Sequence, residues 1–354
     1  MKIAVLVSGG VDSSVALRLL KDEGHDITAF YLKIWLADEL SFLGNCPWEE
    51  DLSFVRSVCE QINVPLEIVP FQKEYWDRVV GYTIAEARAG RTPNPDMLCN
   101  ATIKFGAFYD YIEKNHQGAF EKIATGHYAQ TENTGNSTRL KMSPDPVKDQ
   151  TYFLSQLSQK QIARAMFPVG QFEKDEVRKL ALHYKLPNAD RKDSQGVCFL
   201  GKIPFDEFLE YHLGKKPGNL IERETGKIMG QHNGFWYFTV GQRRGLKLSG
   251  GPWYVAGKNP STNEVIISHA DHREEASRNS FDATNLSWIS GIAPGKAGLK
   301  IKVRHGARMY SANVEYLENN KAHICLIDND QGIAAGQFAV FYDELYCLGG
   351  GVIL

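Results

Sequence analysis

The feature that most constrains the fold lies at the start of the chain, where an apolar run leads into a glycine turn. Residues 2–7 read KIAVLV, and the turn that follows reads SGGVDSS over residues 8–14. A helical pattern comes next, with Val15, Leu19 and Leu20 on one side. A short apolar run that enters a glycine turn and then a helix is typical of a buried parallel strand that delivers a ligand loop.

The chemistry of this turn fits a phosphate group. Gly9 and Gly10 let the backbone approach a ligand closely, Ser13 and Ser14 add hydroxyl donors, and a helix N-terminus favours negative charge. The turn is not a Walker A loop, because no lysine follows its glycines, and it is not a G-x-G-x-x-G fingerprint. A serine-capped tight turn without any ligand is the alternative that this stretch alone leaves open.

The next hundred residues alternate between strand and helix patterns. We predict strands over residues 26–32, 66–69 and 123–125 and helices over residues 51–62, 75–90 and 103–115. Such alternation predicts an α/β fold with a doubly wound parallel sheet. Ligands of these sheets bind at the carboxyl ends of the strands, so we expect the glycine turn, Leu32, Gly126 and His127 around one crevice.

The pattern changes further along the chain. We predict a hairpin within residues 128–140 and helices over residues 158–166 and 174–183. Short runs with Gly, Asn and Pro turns then predict a small β-rich central domain, and the all-β pattern after residue 281 predicts a C-terminal β-barrel-like domain. The predicted domains cover residues 1–203, 204–275 and 276–354.

Composition excludes several classes of protein. The 354 residues are 43% hydrophobic and 23% charged, as in an ordinary soluble globular protein, and no stretch is apolar enough to span a membrane. Six cysteines without a C-x-x-C pair indicate a reducing compartment and argue against a disulfide framework or a zinc ribbon.

The net charge is −2, but two stretches of the chain are locally basic. Residues 191–260 hold eleven Lys or Arg against six Asp or Glu. Lys300, Lys302 and Arg304 alternate with apolar residues, which predicts a strand with one basic face. We hypothesise that both surfaces grip an RNA backbone, with ordinary solvated surface as the alternative.

Two cysteines lie in unusual surroundings. Cys99 follows the stiff segment RTPNPDML, and we predict it just before a helix, where the N-terminus would lower the pKa of its thiol. Asp96 is a candidate for moving protons. Cys198 lies among glycines, which predicts an exposed loop. Buried packing remains the alternative for Cys99 and is our interpretation of Cys59 and Cys325.

Seven motifs occur in a fixed order along the chain. They are SGGVDSS, RTPNPDMLCN followed by IKF, ATGHY, KDQTYFL, KDSQGVCFLG, GQRRGL and CLGGG. Over essentially its whole length the chain resembles the tRNA-specific 2-thiouridylases of the MnmA type, which are PP-loop ATP pyrophosphatases. The resemblance implies ATP and Mg²⁺ as cofactors, cleavage of ATP to AMP and pyrophosphate, and adenylation of the C2 oxygen of a wobble uridine. Sulfur from a persulfide then replaces the activated oxygen to give 2-thiouridine.

The resemblance also assigns roles to individual residues. Cys198 matches the persulfide cysteine and Cys99 the second catalytic cysteine, and the two are expected to form a disulfide after sulfur transfer. Asp96 is the candidate acid or base, and no residue is assigned as a metal ligand. The ATP site comprises Leu6, Val7, Ser8, Gly9, Gly10, Val11, Asp12, Ser13, Leu32 and Gly126. The tRNA contacts comprise Asn94, Pro95 and Asp96 at the target base, and His127, Lys148, Asp149, Gln150, Arg304, His305 and Gln337 elsewhere.

Two stretches depart from the family pattern. Residues 31–35 read YLKIW where the family more often has Met-Lys-Asn-Trp, and residues 304–308 read RHGAR in place of the usual Arg-Tyr-Arg run. The expected partners are a tRNA with a wobble uridine and a persulfide donor, either a cysteine desulfurase or a sulfur-relay protein. We expect a monomer in the bacterial cytoplasm, or in an organellar matrix if the source is eukaryotic.

Three alternatives stay open at this point. Another PP-loop ATP pyrophosphatase acting on tRNA or on a small amide would explain the glycine turn but give Cys99 and Cys198 no task. A nucleotide-binding sensor with structural or metal-holding cysteines belongs to a different class. An iron–sulfur cluster on Cys99, Cys198 and a third ligand is the last of these alternatives.

Overall fold

The structure, a computed structural model, describes residues 1–34, 48–193, 203–295 and 298–354. Cys46 and Cys198 therefore lie outside the described residues. Up to residue 193, the described strands are β1 (Lys2–Leu6), β2 (Asp26–Lys33), β3 (Leu66–Pro70), β4 (Lys122–Ala124), β5 (Ala129–Asn133), β6 (Thr138–Met142) and β7 (Ala165–Met166).

Five of these strands form one parallel sheet in the order β3–β2–β1–β4–β7. Side chains of β1 point alternately to two cores, with Ile3 and Val5 in one and Ala4 and Leu6 in the other. Both faces are covered, as expected for parallel strands, which confirms the predicted α/β class. The strand order reverses between β1 and β4, so their carboxyl ends flank the crevice where such sheets bind ligands.

Helices cover the two faces of this sheet. They span Val11–Asp22, Trp48–Gln61, Gln72–Tyr75, Gly81–Arg88, Pro95–Leu98, Phe108–Asn115, Thr151–Leu154, Gln159–Arg164 and Lys174–His183. Two π-helical segments, Trp76–Val80 and Cys99–Ala107, connect neighbouring helices into longer runs.

The second of these longer runs begins earlier than predicted. A helix was expected from residue 103, whereas the run starts at Pro95. Asn94 caps it, because its Oδ1 accepts a hydrogen bond of 3.4 Å from the backbone N–H of Met97. Proline at the first helical position needs no hydrogen-bond acceptor for its nitrogen, so the stiff turn starts the helix.

The central region follows the helix Phe205–Leu213. Its strands are β8 (Gly218–Glu222), β9 (Ile228–His232), β10 (Trp253–Asn259) and β11 (Glu264–His269), in the sheet order β10–β11–β8–β9. Short 3₁₀ or α turns span Phe235–Tyr237, Ala270–His272 and Arg273–Ala276. A separate small core that includes Leu220, Val255 and Ile267 fills this region.

The last strands close into a barrel. They are β12 (Arg278–Trp288), β13 (Gly298–Lys302), β14 (Tyr310–Leu317), β15 (Lys321–Asp330), β16 (Phe338–Asp343) and β17 (Tyr346–Ile353). Pairing between β12 and β17 completes the ring β12–β15–β14–β13–β16–β17. The predicted barrel-like domain is confirmed.

The predicted hairpin is confirmed as β5 and β6, but it belongs to a different sheet from its neighbours in sequence. β6 pairs with β17 through Lys141–Tyr346 and Leu140–Cys347, so the hairpin extends the barrel sheet. The boundary predicted at residues 203 and 204 stays a prediction. None of the helices in the described ranges has the length and apolarity needed to cross a membrane.

Candidate active site

The glycine turn between β1 and the helix Val11–Asp22 is held in shape by its own polar groups. The Ser13 hydroxyl accepts a hydrogen bond of 3.2 Å from the Ser8 N–H and donates one of 3.0 Å to the Gly10 carbonyl. Asn188 donates from its amide to the Gly9 carbonyl at 2.8 Å. The first N–H groups of the helix have no intrahelical acceptor and are free to bind an anion.

Two glycines leave room at this turn that no other residue would leave. Gly9 has a φ of +78°, and a Cβ there would lie 2.6 Å from the Asp51 carbonyl oxygen. A Cβ on Gly126, just after β4, would lie 2.6 Å from the Ser13 nitrogen. The carboxyl ends of β1 and β4 therefore meet at the turn, and Leu32, near the end of β2, lies on the neighbouring strand. This cradle fits the phosphates of a nucleotide.

A network of charges lies beside the turn. The Asp12 carboxylate accepts hydrogen bonds from the Tyr128 hydroxyl at 2.9 Å and from Lys174 Nζ at 2.7 Å. Lys174 also pairs with Asp193 at 2.8 Å, and Lys148 pairs with Asp193 at 2.7 Å. Burial on its own would raise the pKa of Asp193, but the hydrogen bonds from Lys148 and Lys174 hold it well below the ordinary value.

Sequence reasoning missed Lys174 and Tyr128. Lys174 stands at the start of the predicted helix Lys174–His183, yet nothing local relates it to Asp12, which is far away in the chain. Once the loop is in place, Lys174 is the lysine that contacts it, although it comes from another element. The loop itself has no Walker-type lysine, but Lys174 from a distant helix lies beside it.

Cys99 lies at the junction between the helix Pro95–Leu98 and the π-helical segment, and its side chain is only 2% exposed. Burial raises the pKa of its thiol, while Lys104 acts in the opposite direction. The prediction of a lowered pKa at a helix N-terminus is therefore wrong. The helix begins at Pro95, so Cys99 is already past the first turn, where the effect of the helix dipole fades.

Polar groups surround the buried thiol. Lys104 Nζ donates to Asn100 Oδ1 at 3.0 Å, and Asn100 Nδ2 donates to the Phe153 carbonyl at 3.1 Å. The Tyr75 hydroxyl forms a hydrogen bond with Cys99 that lowers the pKa of the thiol. We call the group formed by Tyr75, Asp96, Cys99, Asn100 and Lys104 the thiol pocket.

His127 connects the thiol pocket to the nucleotide crevice. It follows Gly126 directly, and its Nδ1 lies 2.7 Å from the Thr125 hydroxyl. Burial lowers the pKa of His127 well below its usual value, and the positive charge of Lys104 lowers it further. The imidazole is therefore neutral near pH 7 and a weak base.

The barrel closes one side of the same area through residues predicted to contact tRNA. The His305 ring stacks on Phe153 with a centroid distance of 4.7 Å, and the negative charge of Asp96 acts on the His305 ring. Gln337 donates from Nε2 to the Thr92 carbonyl at 3.2 Å. Arg304 forms two hydrogen bonds with Asp330, of 2.8 and 2.6 Å.

The hypothesis of a single basic face on β13 is wrong for Lys302. Lys300 is exposed, but Lys302 is 1% exposed and pairs with the buried Asp149 at 3.1 Å. The outer face of the barrel is covered at this point by the segment that carries Asp149. The side chain of Gln150 is also engaged internally, because its Oε1 accepts a hydrogen bond of 2.9 Å from the Tyr128 N–H. Asp149 itself is buried in this structure, so its side chain offers no surface to RNA.

The remaining cysteines behave as packing residues where the structure describes them. Cys59 and Cys347 are 3% exposed, and burial raises the pKa of the Cys59 thiol to about 11. Cys325 is partly buried. In the described ranges no group of three or more His, Cys, Asp or Glu could hold a metal ion. The predicted meeting of Cys99 with Cys198 stays a prediction, because Cys198 lies outside those ranges.

Three family models match consecutive parts of the chain. They are described as a tRNA methyl transferase HUP domain over residues 1–202, a tRNA methyl transferase PRC-barrel domain over residues 206–269 and an aminomethyltransferase beta-barrel domain over residues 278–353. A solved 4-thiouridine synthetase–RNA complex with bound ATP is 17% identical with a TM-score of 0.35, and the match covers 60% of this chain and 50% of that one. That likeness is too low to carry an argument.

Curated relatives match from end to end. A tRNA-specific 2-thiouridylase MnmA from Parabacteroides distasonis is 44% identical, covering 100% of this chain and 99% of the relative. Proteins of the same name from Porphyromonas gingivalis and Bacteroides thetaiotaomicron are 43% and 42% identical with the same coverage. Identity at this level over the full length leaves one assignment: the chain belongs to the family of tRNA-specific 2-thiouridylases.

Proposed function

We propose that this protein is an ATP-dependent tRNA sulfurtransferase that replaces the C2 oxygen of a wobble uridine with sulfur. One observation carries the proposal beyond the family. Gly126 touches the glycine turn, and the next residue, His127, faces Lys104 of the thiol pocket. This arrangement supports a nucleotide site and a reactive thiol on the two sides of a single strand end.

The nucleotide crevice suits ATP activation of a carbonyl oxygen. When bound, ATP supplies an adenylate, which turns a poor leaving group on C2 into AMP. The turn from Ser8 to Ser13 and Gly126 would hold the phosphates, and Lys174 would neutralise part of their charge. Asp12 is the carboxylate at the turn that would hold Mg²⁺, whose preferred ligands are oxygens.

The thiol pocket suits the sulfur step. The terminal sulfur of a Cys198 persulfide attacks C2, the C2–O bond breaks and AMP leaves with the bonding electrons. The Cys99 thiolate then attacks Cys198 Sγ, which releases 2-thiouridine and leaves a Cys99–Cys198 disulfide that a cellular thiol must reduce. Cys99 first has to lose its proton, and Asp96, whose charge acts on the thiol, is the candidate to accept it.

The remaining partners follow from the same scheme. The substrate is a tRNA, with Asn94, Pro95 and Asp96 at the target base, which must leave its stack to reach the pocket. A cysteine desulfurase or a sulfur-relay protein would load Cys198. A monomeric enzyme of the cytoplasm completes the proposal, with domains over residues 1–203, 204–275 and 276–354.

Mass spectrometry of a tRNA transcript tests this function. The transcript is incubated with the protein, ATP and a sulfide source, and the wobble nucleoside is analysed. We expect exchange of oxygen for sulfur together with release of AMP and pyrophosphate. Addition of a methyl group, which two of the family-model descriptions suggest, or ADP and phosphate as the only nucleotide products, would contradict the proposal.

A further inference from the structure

A polar cavity lies where the three parts of the chain meet, away from the nucleotide crevice. Its volume is about 360 Å³. Gly90 and Thr92 line it from the first part, Lys258 from the central region, and Arg278 and Gln331 from the barrel. Small-molecule sites have volumes of roughly 300–1,000 Å³, so this junction cavity has room for a ligand of nucleotide size at most.

The charged side chains that line the junction cavity are all positive. Lys258 and Arg278 line it, and no Asp or Glu side chain does so among the described residues. Leu354 also borders the cavity and forms no ion pair with either cation.

Lys258 has no hydrogen bond or ion pair within the described ranges, and burial lowers its pKa to about 8. Arg278 is more exposed and uses one N–H to reach the Ile333 carbonyl at 3.0 Å, so most of its donors stay available. A partly buried ammonium without a counter-charge is costly, and an anion in the cavity would offset that cost.

One wall of the junction cavity belongs to the segment that carries the proposed target-base residues. The Thr92 N–H donates to the Ala335 carbonyl at 2.7 Å, and Thr92 precedes Asn94 by only two positions. Gly90 packs so closely that a Cβ there would lie 2.4 Å from Pro260 Cγ. Contacts from the central region and from the barrel thus converge on residues 90–92.

We propose that the junction cavity binds a phosphate-bearing anion, either one phosphate of an RNA chain or free phosphate, through Lys258 and Arg278. The planar guanidinium matches two phosphate oxygens, and the ammonium supplies a point charge. Occupancy would hold the central region and the barrel against Thr92 and so fix the segment leading to Asn94. This site goes beyond the proposed thiolation and requires no step of it.

Lysine acylation, measured residue by residue, tests the site in the full-length protein. The protein is treated with an N-hydroxysuccinimide ester at pH 8 in sodium chloride, in inorganic phosphate of equal ionic strength, or with a tRNA transcript. Peptide mass spectrometry gives the acylation rate of each lysine. A bound anion favours the charged, unreactive form of Lys258, so we expect its rate to fall by about tenfold. Exposed Lys227 of the same region is the internal control in phosphate.

The arms of the experiment separate the two sources of phosphate. Protection of Lys258 by inorganic phosphate assigns the site to a free anion, and protection by the transcript alone assigns it to the RNA backbone. Arg278→Gln should raise the protecting concentration by about tenfold, whereas Arg223→Gln, at an exposed arginine, should not.

An unchanged Lys258 rate in both arms, or protection that is undiminished in Arg278→Gln, overturns the proposal. Because the readout involves neither ATP nor thiolation, this failure would leave the proposed function intact.

Discussion

The nucleotide crevice and the thiol pocket are neighbours, but they differ in how ready they are for a ligand. The glycine turn is already held by its own hydrogen bonds and by Asn188, and Gly126 packs closely against the start of its helix. In the thiol pocket Cys99 is 2% exposed, and burial keeps its thiol protonated. The first site is preorganised, whereas the second has to open.

This difference indicates an order of events. Under the proposed function, ATP would bind to a turn that is already formed, whereas sulfur transfer would require Cys99 to be uncovered, which we expect entry of the target base beside Asp96 to do. A protonated, buried thiol is also a poor target for oxidation, which proceeds through the thiolate. Burial would therefore protect Cys99 from oxidation under the proposed function until the target base enters.

The largest expected effect is the loss of tRNA thiolation when the thiol pocket alone is changed. Cys99→Ser should reduce thiolated tRNA to background while ATP binding and persulfide loading of Cys198 persist, because only release of the product needs the second thiol. Mass spectrometry of the tRNA and of the Cys198 peptide measures both. Cys59→Ser is the matched control, since Cys59 is also buried but packs in the other core. Full thiolation by Cys99→Ser, or loss of ATP binding, would contradict the separation of the two sites.

The next effect tests the buried ion pair between the barrel and the segment that carries Asp149. Lys302→Met leaves the buried Asp149 carboxylate without its partner, so we expect the free energy of unfolding to fall by about 3–5 kcal/mol. The double variant Lys302→Met with Asp149→Asn should recover most of that loss. Urea denaturation measures both.

Lys300→Met provides the comparison on the same strand. Lys300 is exposed and donates to the Ser311 hydroxyl, so its loss should change the free energy of unfolding by about 0.5 kcal/mol or less. Equal losses for the two lysines would show that the ion pair with Asp149 adds nothing.

A third variant affects the nucleotide crevice alone. Gly126→Ala places a Cβ 2.6 Å from the Ser13 nitrogen, so we expect ATP to bind about ten- to a hundredfold more weakly through displacement of the turn. Calorimetric titration with ATP measures this change, and thermal unfolding without ATP measures any loss of stability. Gly295→Ala, where a Cβ meets nothing within 4 Å, is the control. Unchanged ATP affinity in Gly126→Ala would separate Gly126 from the nucleotide site.

The smallest effect concerns the protonation of Cys99. Removing the hydrogen bond to the thiolate in Tyr75→Phe should raise the pKa of Cys99 further and slow its alkylation at pH 8 by about fivefold. The rate-against-pH curve should move to higher pH without a lower plateau, because the thiolate becomes scarcer but no less reactive. Tyr82→Phe removes a hydroxyl with no hydrogen-bond partner in the described ranges and should leave the curve in place. A lower plateau in Tyr75→Phe would instead indicate altered access.

Much of the fold could be predicted from local pattern. The apolar run before Ser8, the alternation of strands and helices and the hairpin near Thr138 each have a local cause that tertiary contacts did not override. The prediction that Lys302 lies on an exposed basic face was wrong. Strict alternation identifies the two faces of a strand, but it does not reveal that another segment covers the outer face.

The sequence motifs locate most residues of the candidate site, but they do not predict burial or long-range ion pairs. Motifs locate Ser8–Ser13 and His127 at strand ends and Cys99 beside a helix. Burial of Cys99 depends on where that helix begins, and Asn94 and Pro95 together move its start from residue 103 to Pro95, about two turns earlier. Lys174 was missed because its partner Asp12 is distant in sequence. Long-range charge pairs leave no local signal.

The pairing of β6 with β17 has a consequence for biosynthesis. The hairpin leaves the ribosome early, yet Lys141 meets its partner Tyr346 only after roughly 200 more residues have been added, at least about 10 s later at ordinary translation rates. During that interval one edge of β6 has no strand to pair with, and open edges invite association with other chains. The nascent protein is therefore most vulnerable to aggregation while its first sheet is complete and its last strand is still unmade.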